Sequence, residues 1–129
     1  MSYVYSDVNS LDGTQKVGSK QCVALVQHYA GAPVTSSWRP GAKALKSTMI
    51  ATGTAIATFV NNRYQNNGHG NHAALFVRRE GNCIWVMDQW LDDKSKPVVS
   101  TRPLCSKGKH KDGSYRDPSN NADAFSIIE

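Results

Sequence analysis

One stretch of helical periodicity precedes a series of short β-rich runs, and that order confines the chain to an α+β arrangement in which a helix covers an antiparallel sheet. Across residues 19–29, Cys22, Val23, Val26 and Tyr29 recur at helical spacing. Gly18 or Ser19 can cap the start, and Gly31 and Pro33 end the element, so the pattern predicts a helix from about residue 20 to about residue 30. From Gly53 the character changes, because TAIATFV, HAALFVRR and CIWVMDQW are short apolar runs of strand type. NNRYQNNGHGN is a polar loop between the first two, and Glu80-Gly81-Asn82 supplies hairpin chemistry between the second and third. The first eighteen residues read as a loop or extended arm, and TSSWRPGAKAL as a turn-rich segment able to start a second, short helix. PVVS is a short run, a long basic loop extends from about Ser106 to Asn121, and AFSII is a last strand.

A chain of 129 residues falls in the size range of one domain, expected here to span residues 1–129. No segment approaches the roughly 18 uninterrupted apolar residues of a membrane span. The start MSYVYSDVNSLDG has neither a basic cluster nor an apolar run, so no signal peptide or transit sequence is predicted. Formal net charge is +5, and seven of the fifteen basic residues lie from Lys94 onward, among them Lys107, Lys109, Lys111 and Arg116. An anionic partner would be attracted. Nucleic acid is disfavoured, since these residues sit among Gly, Ser and Asp without interleaved aromatics or a reading helix. The competing explanation is an ordinary solvated surface. A polyanionic, carboxylate-bearing cell wall would feel the same field on encounter.

Three cysteines cannot all pair within the chain, so at least one thiol is free. Cys83 and Cys105 sit in strand-like context, whereas Cys22 opens the helical pattern. A thiolate in the first turn of a helix is stabilised by the positive end of the dipole and by unpaired N–H groups, which suits Cys22 to a nucleophile's role. Its competing fate is a small buried core residue. His72 opens the strand in GNHAALFV after a Gly/Asn-rich loop that would leave its ring exposed in a cleft. A strand-end histidine facing a helix-start cysteine is the nucleophile–base geometry of papain-like enzymes. The alternatives are a structural histidine or a metal ligand with His69. H-x-x-H without carboxylates or further cysteine spacing is too weak for a metal site, and neither metal nor cofactor is predicted.

A hairpin turning at Glu80-Gly81-Asn82 brings Asp88 and Gln89 to within a residue or two of His72. A one-residue change of register swaps which of the two shares its face, so both remain candidates. Asp88 is preferred, because it interrupts an apolar strand and a carboxylate stabilises an imidazolium better than an amide. Its alternative is a solvent-facing acid at a strand end. Backbone N–H groups near Gln21 and Cys22 would serve the oxyanion, with the Gln21 side chain as a second donor. Trp38 and Trp85 read as core, and Trp90 as a substrate-groove wall.

The segments GSKQCVALVQHYAGAPVTSSWRPG, GTAIATF, GNHAALFV and WVMDQW, in that order, resemble the type VI secretion amidase effectors of the second family. The resemblance covers roughly residues 18–90 and is weaker in the basic C-terminal third. It implies a papain-like fold of the NlpC/CHAP type, with a nucleophile helix packed on an antiparallel sheet. The implied activity is cysteine-dependent hydrolysis of peptidoglycan, at the cross-link between D-alanine and meso-diaminopimelate. Cleavage between D-glutamate and diaminopimelate, or a non-catalytic cell-wall binding module, are the alternatives. The resemblance also implies export by the type VI secretion apparatus without a signal peptide, action in the periplasm of a target bacterium, and a periplasmic immunity protein that plugs the cleft. A monomer without a membrane partner is expected. In that oxidising compartment Cys83 and Cys105 would pair while Cys22 stays free, closing a loop of about twenty residues worth roughly 3 kcal/mol. Two buried thiols too far apart to bond are the alternative.

Overall fold

The computed structural model describes residues 2–129. Strands β1 (Pro40–Lys43), β2 (Ala55–Thr58), β3 (Ala73–Glu80), β4 (Cys83–Asp88), β5 (Ser100–Cys105) and β6 (Phe125–Ile128) form one antiparallel sheet in the order β1-β6-β2-β3-β4-β5. Against it lies helix α1 (Cys22–Ala30), the only α-helix among the described residues. This is the α+β arrangement expected from the order of periodicities.

The helix forms because Leu25 and Val26 can be fully buried on one side, and it stops where Gly31 takes the left-handed conformation with its N–H on the carbonyls of Gln27 and Val26. Truncating Leu25 to alanine would cost about 3 kcal/mol through the cavity left beside β3. Neither Gly18 nor Ser19 is the cap. Gln21 holds that position in extended conformation without a side-chain capping bond, so Cys22 is the first helical residue.

Each face of the sheet has its own apolar layer. Leu25, Val26, Trp38, Leu75 and Met87 fill the helix side. Ile56, Phe76, Ile84, Val86, Leu104 and Phe125 fill the other, under Ala44, Ala122 and Ala124. Trp38 is fully buried, while Trp85 is partly buried beneath the Arg78 guanidinium, 4.6 Å from its ring. The N-terminal arm is anchored rather than loose. Val8 and Leu11, in a 3-10 turn, enter the helix-side core, and the Tyr5 N–H donates to the Gly53 carbonyl at 2.9 Å. At Gly53, with φ +95°, a Cβ would stand 2.0 Å from the Tyr5 carbonyl oxygen, so only glycine admits the arm.

The second helix expected around Trp38 is absent. Residues Thr35–Ser37 make one 3-10 turn, and Pro40–Lys43 pairs with β6 as an edge strand. An edge tolerates Pro40 because Arg39 exchanges the bonds with Glu129 on the inner side and no strand lies on the outer side to receive an N–H. The PVVS run leads into β5, which starts at its last residue, Ser100, and its Val99 is core. In β4 and β5, Cys83 lies opposite Cys105, and the two sulfurs form a disulfide with Cα atoms 3.9 Å apart.

The β3–β4 register holds one irregularity with large consequences. Glu80 pairs with Cys83 and Arg78 with Trp85, but Phe76 pairs with Val86 and Leu75 with Met87, so Val77 is an extra residue in β3. Beyond this bulge, Asp88 shares the face of Val86, Phe76, Ala74 and His72. Without it, Gln89 would take that place.

Candidate active site

Cys22 owes its position to the loop ahead of α1. Gly18 and Lys20 both take positive φ, 59° and 69°, so the chain turns sharply into the helix. At Gly18 a Cβ would also press on that of Ala24 at 3.0 Å. Gln89 fixes this loop from beneath. Fully buried, it accepts from the Val17 N–H at 3.0 Å and donates to the carbonyls of Val17 at 3.1 Å and Gln21 at 2.8 Å. The bulge in β3 turns Gln89 to the helix face, away from His72. Its sequence alternative, orienting the imidazole, is therefore replaced by clamping the cysteine loop.

His72 immediately precedes β3, and Thr58 holds its backbone from both sides. The His72 N–H donates to Thr58 Oγ1 at 3.0 Å, and its carbonyl accepts from the Thr58 N–H at 3.0 Å. Its ring is more enclosed than the sequence suggested, with 7% of the side chain exposed. Nε2 lies 2.8 Å from Asp88 Oδ2, which leaves Nδ1 for the Cys22 side.

Asp88 is fully buried and gathers three cationic partners. Oδ2 also accepts from Arg102 Nε at 2.7 Å, and Oδ1 stands 2.8 Å from Lys96 Nζ, a charge contact at a poor hydrogen-bonding angle. Burial alone would raise the carboxyl pKa, but His72, Arg102 and Lys96 overwhelm it and hold Asp88 far below the ordinary carboxylate range. For His72, burial disfavours the cation, yet the hydrogen bonds to Asp88 and Cys22 outweigh it and raise the imidazole to about 9. Burial likewise pushes the Cys22 thiol up, and His72 and Tyr64 pull it below its usual value. The sulfur lies 3.7 Å from the Tyr64 hydroxyl, whose own ionisation is pushed up by burial and by charge on Cys22. The lowered Cys22 and the raised His72 both favour a thiolate–imidazolium pair, held beside the Asp88 carboxylate.

Cys22, Tyr64 and His72 line an open cleft of about 580 Å³, with Asp88 buried behind His72. One wall carries Tyr64 and Asn71, and Asn71 Nδ2 donates to the Tyr64 hydroxyl at 3.4 Å. The other carries Trp90 and Arg102, with the guanidinium 5.0 Å from the Trp90 ring centre. Arg102 ties this wall to the C-terminal loop through Asn120 Oδ1 at 2.6 Å and the Ser119 carbonyl at 3.3 Å. Gln21 lines the mouth beside Cys22, and His69 lies on the Gly/Asn-rich rim. Among the described residues no group of three or more His, Cys, Asp and Glu could hold a metal ion. A thiol and an imidazole side by side on an accessible cleft, with a buried carboxylate behind the imidazole, is an arrangement suited to acyl transfer.

A family model described as domesticated amidase effector 2 matches residues 2–128. The chain belongs to the amidase effector 2 family. It is 47% identical, over 133 residues and the whole of both chains, to a Salmonella typhi protein named type VI secretion amidase effector 2. A protein of Ixodes scapularis named domesticated amidase effector 2 is 34% identical over 131 residues, covering 96% of this chain and 82% of that one. The solved structure of a type 6 secretion amidase effector 2 superposes with a TM-score of 0.92 at 46% identity, over 98% of this chain and 94% of the other.

Several members of the site in this amidase effector 2 chain escaped sequence reasoning. Thr58 and Tyr64 come from the β2–β3 region and act through a hydroxyl each, and nothing in a single serine-like or aromatic residue marks such a role. Lys96 and Arg102 read as part of a basic surface, yet Lys96 is 4% exposed. A buried carboxylate needing compensation was the one available clue, and only once Asp88 was known to be buried.

Proposed function

We propose that this chain, as a single papain-like domain of the NlpC/CHAP type, hydrolyses peptide bonds of peptidoglycan. The target is the cross-link between D-alanine and meso-diaminopimelate. The observation that carries this reading is the series of contacts that runs from Cys22 on the cleft through His72 to the buried Asp88.

The Cys22 thiolate attacks the scissile carbonyl, forming a C–S bond as the carbonyl oxygen becomes an oxyanion. The backbone N–H groups at the start of α1, near Gln21 and Cys22, donate to that oxyanion, with the Gln21 side-chain amide as a second donor. The His72 imidazolium gives its proton to the leaving amine as the C–N bond breaks. Water then attacks the thioester, His72 takes its proton, and the carboxylic acid product leaves as Cys22 regains the thiolate. Asp88 keeps the imidazole oriented and its cation stabilised throughout. Trp90 supplies an apolar wall for the bound peptide.

The names of the Salmonella typhi relative and of the solved structure, which speak of type VI secretion, support delivery by that apparatus and action in the periplasm of a target bacterium. The Cys83–Cys105 disulfide fits an oxidising compartment. An open cleft is also the surface that a periplasmic immunity protein would plug. The chain is expected to act as a monomer, without cofactor.

Mass spectrometry of muropeptides after digestion of purified sacculi tests the reading. Conversion of cross-linked dimers to monomers that end in D-alanine is expected. Loss of stem peptide beyond D-glutamate would move the cut into one stem, and unchanged muropeptides would leave a non-catalytic wall-binding module.

A further inference from the structure

Apart from Arg102, Ser119 and Asn120, the basic C-terminal loop lies away from the cleft, yet it is held by a dense set of hydrogen bonds. Asn121 is fully buried and makes four hydrogen bonds. Its Oδ1 accepts from the N–H groups of Lys107 and Asp123, both at 3.0 Å. Its Nδ2 donates to the carbonyls of Gly108 at 3.0 Å and Arg116 at 2.8 Å. Asp123 Oδ2 accepts from Ser106 Oγ at 2.6 Å and the Gly108 N–H at 2.9 Å. These bonds fix residues 108–116 as a small hairpin in which Lys109 bridges to Tyr115.

That hairpin closes a second cavity, of about 340 Å³, on the sheet face opposite α1. Three ammonium groups surround it, from Lys43, Lys46 and Lys109, over a floor that includes Leu45 and Ala122. Lys43 and Lys109 flank the Tyr115 ring at 4.8 and 5.0 Å from its centre. Lys43 donates to the Tyr115 hydroxyl at 2.6 Å, which leaves that hydroxyl's proton for an outside acceptor. Among the described residues none of the three lysines has a carboxylate partner. Asp123, the acid on the lining, spends its Oδ2 on Ser106 and Gly108 instead. The lining carries three ammonium charges against the single carboxylate of Asp123, and an anion seated among the lysines relieves the repulsion that remains.

We infer that this cavity is a binding site for a carboxylate of the peptidoglycan stem peptide, separate from the catalytic cleft, that holds the protein on the insoluble wall while Cys22 works. The inference deepens the proposed function and rests on its substrate class. Ammonium groups with a hydroxyl donor suit an anionic head, and Leu45 with Ala122 suits the short aliphatic part of an amino-acid stem. No lining residue is shared with the cleft, so the two sites can be occupied together.

The test separates wall binding from hydrolysis. Co-sedimentation with purified Gram-negative sacculi is measured for Cys22→Ala protein, which keeps the wall intact, alone and combined with Lys46→Gln and Lys109→Gln. A charge-matched control carries Arg63→Gln and Arg78→Gln instead. Lys46 and Lys109 lie on the surface, so folding should survive, and circular dichroism verifies it. Sacculus affinity should fall about tenfold for the lysine pair and much less for the control. In the background that retains Cys22, hydrolysis of a small soluble muropeptide dimer should be unchanged by the lysine pair. Unchanged sedimentation, or equal loss in the control, overturns the inference. Sacculi whose stem carboxylates have been amidated should bind like the variant. Retained binding there, lost instead on competition with inorganic phosphate, would assign the cavity to phosphate and overturn the carboxylate. Sedimentation reads out even if the chain hydrolyses nothing, so failure of the catalytic reading remains distinguishable.

Discussion

His72 Nε2 meets Asp88 Oδ2 at 2.8 Å because β3 carries one residue more than β4 across their hairpin. The extra residue, Val77, turns Asp88 onto the face of His72 and Gln89 onto the face of α1. A single backbone irregularity thus assigns two adjacent polar side chains to different tasks, one to the imidazole and one to the cysteine loop.

Asp88→Asn should reduce activity on sacculi by about 100-fold or more, though less than loss of Cys22 or His72, because an amide can still orient the ring. It also leaves the buried Lys96 and the half-buried Arg102 without their anion. Stability should fall by about 3 kcal/mol, read from urea unfolding at neutral pH. Unchanged stability would mean that the two cations are not compensated by Asp88.

Gln89→Leu removes three hydrogen bonds from the loop that leads to Cys22. The unpaired groups of Val17 and Gln21 should cost about 2 kcal/mol or more in stability. Since Gln89 touches neither His72 nor the cleft, the Cys22 thiolate should persist in ultraviolet titration while kcat falls at nearly constant KM. Loss of the thiolate itself would contradict the clamp.

Much of this architecture was legible in the sequence. Helical spacing around Cys22 and the three β-rich runs announce themselves because burial on one side imposes a period. Strand β1 did not, since Pro40-Gly41-Ala42-Lys43 is half exposed at a sheet edge and carries no alternation. The bulge at Val77 was invisible for a related reason: an extra residue in a wholly apolar stretch changes register without changing pattern. Lys96 and Arg102 looked like surface charge, because only a folded neighbour reveals that a cation is buried.

The raised pKa of His72 carries a pH signature. A group protonated more readily in the folded state contributes stability that is complete below its unfolded value, about 6.5, and is lost as pH rises towards about 9. The share owed to His72 should therefore decline across that window, against an opposite slope from Cys22, whose lowered pKa adds stability as pH rises. Cys22→Ala protein should show a decline that a Cys22→Ala, His72→Gln variant lacks. In the same range kcat/KM should fall as the imidazolium that protonates the leaving amine disappears. Equal slopes for the two proteins would remove His72 as the cause.

Reduction of Cys83–Cys105 should cost about 3 kcal/mol for a loop spanning 22 residues, lowering Tm by roughly 10 °C. Differential scanning calorimetry with and without reductant checks this, and thiol titration of the unfolded, oxidised protein should find a single free group. Three free groups would show that the pair does not form.

The claim at the centre of this account is that the Cys22 sulfur is the attacking atom, and Cys22→Ala tests it most directly. The variant should keep the wild-type melting curve, since a small side chain is lost at a helix start, and release no muropeptide products from purified sacculi above the no-enzyme level. Substantial product release by folded Cys22→Ala protein would contradict it.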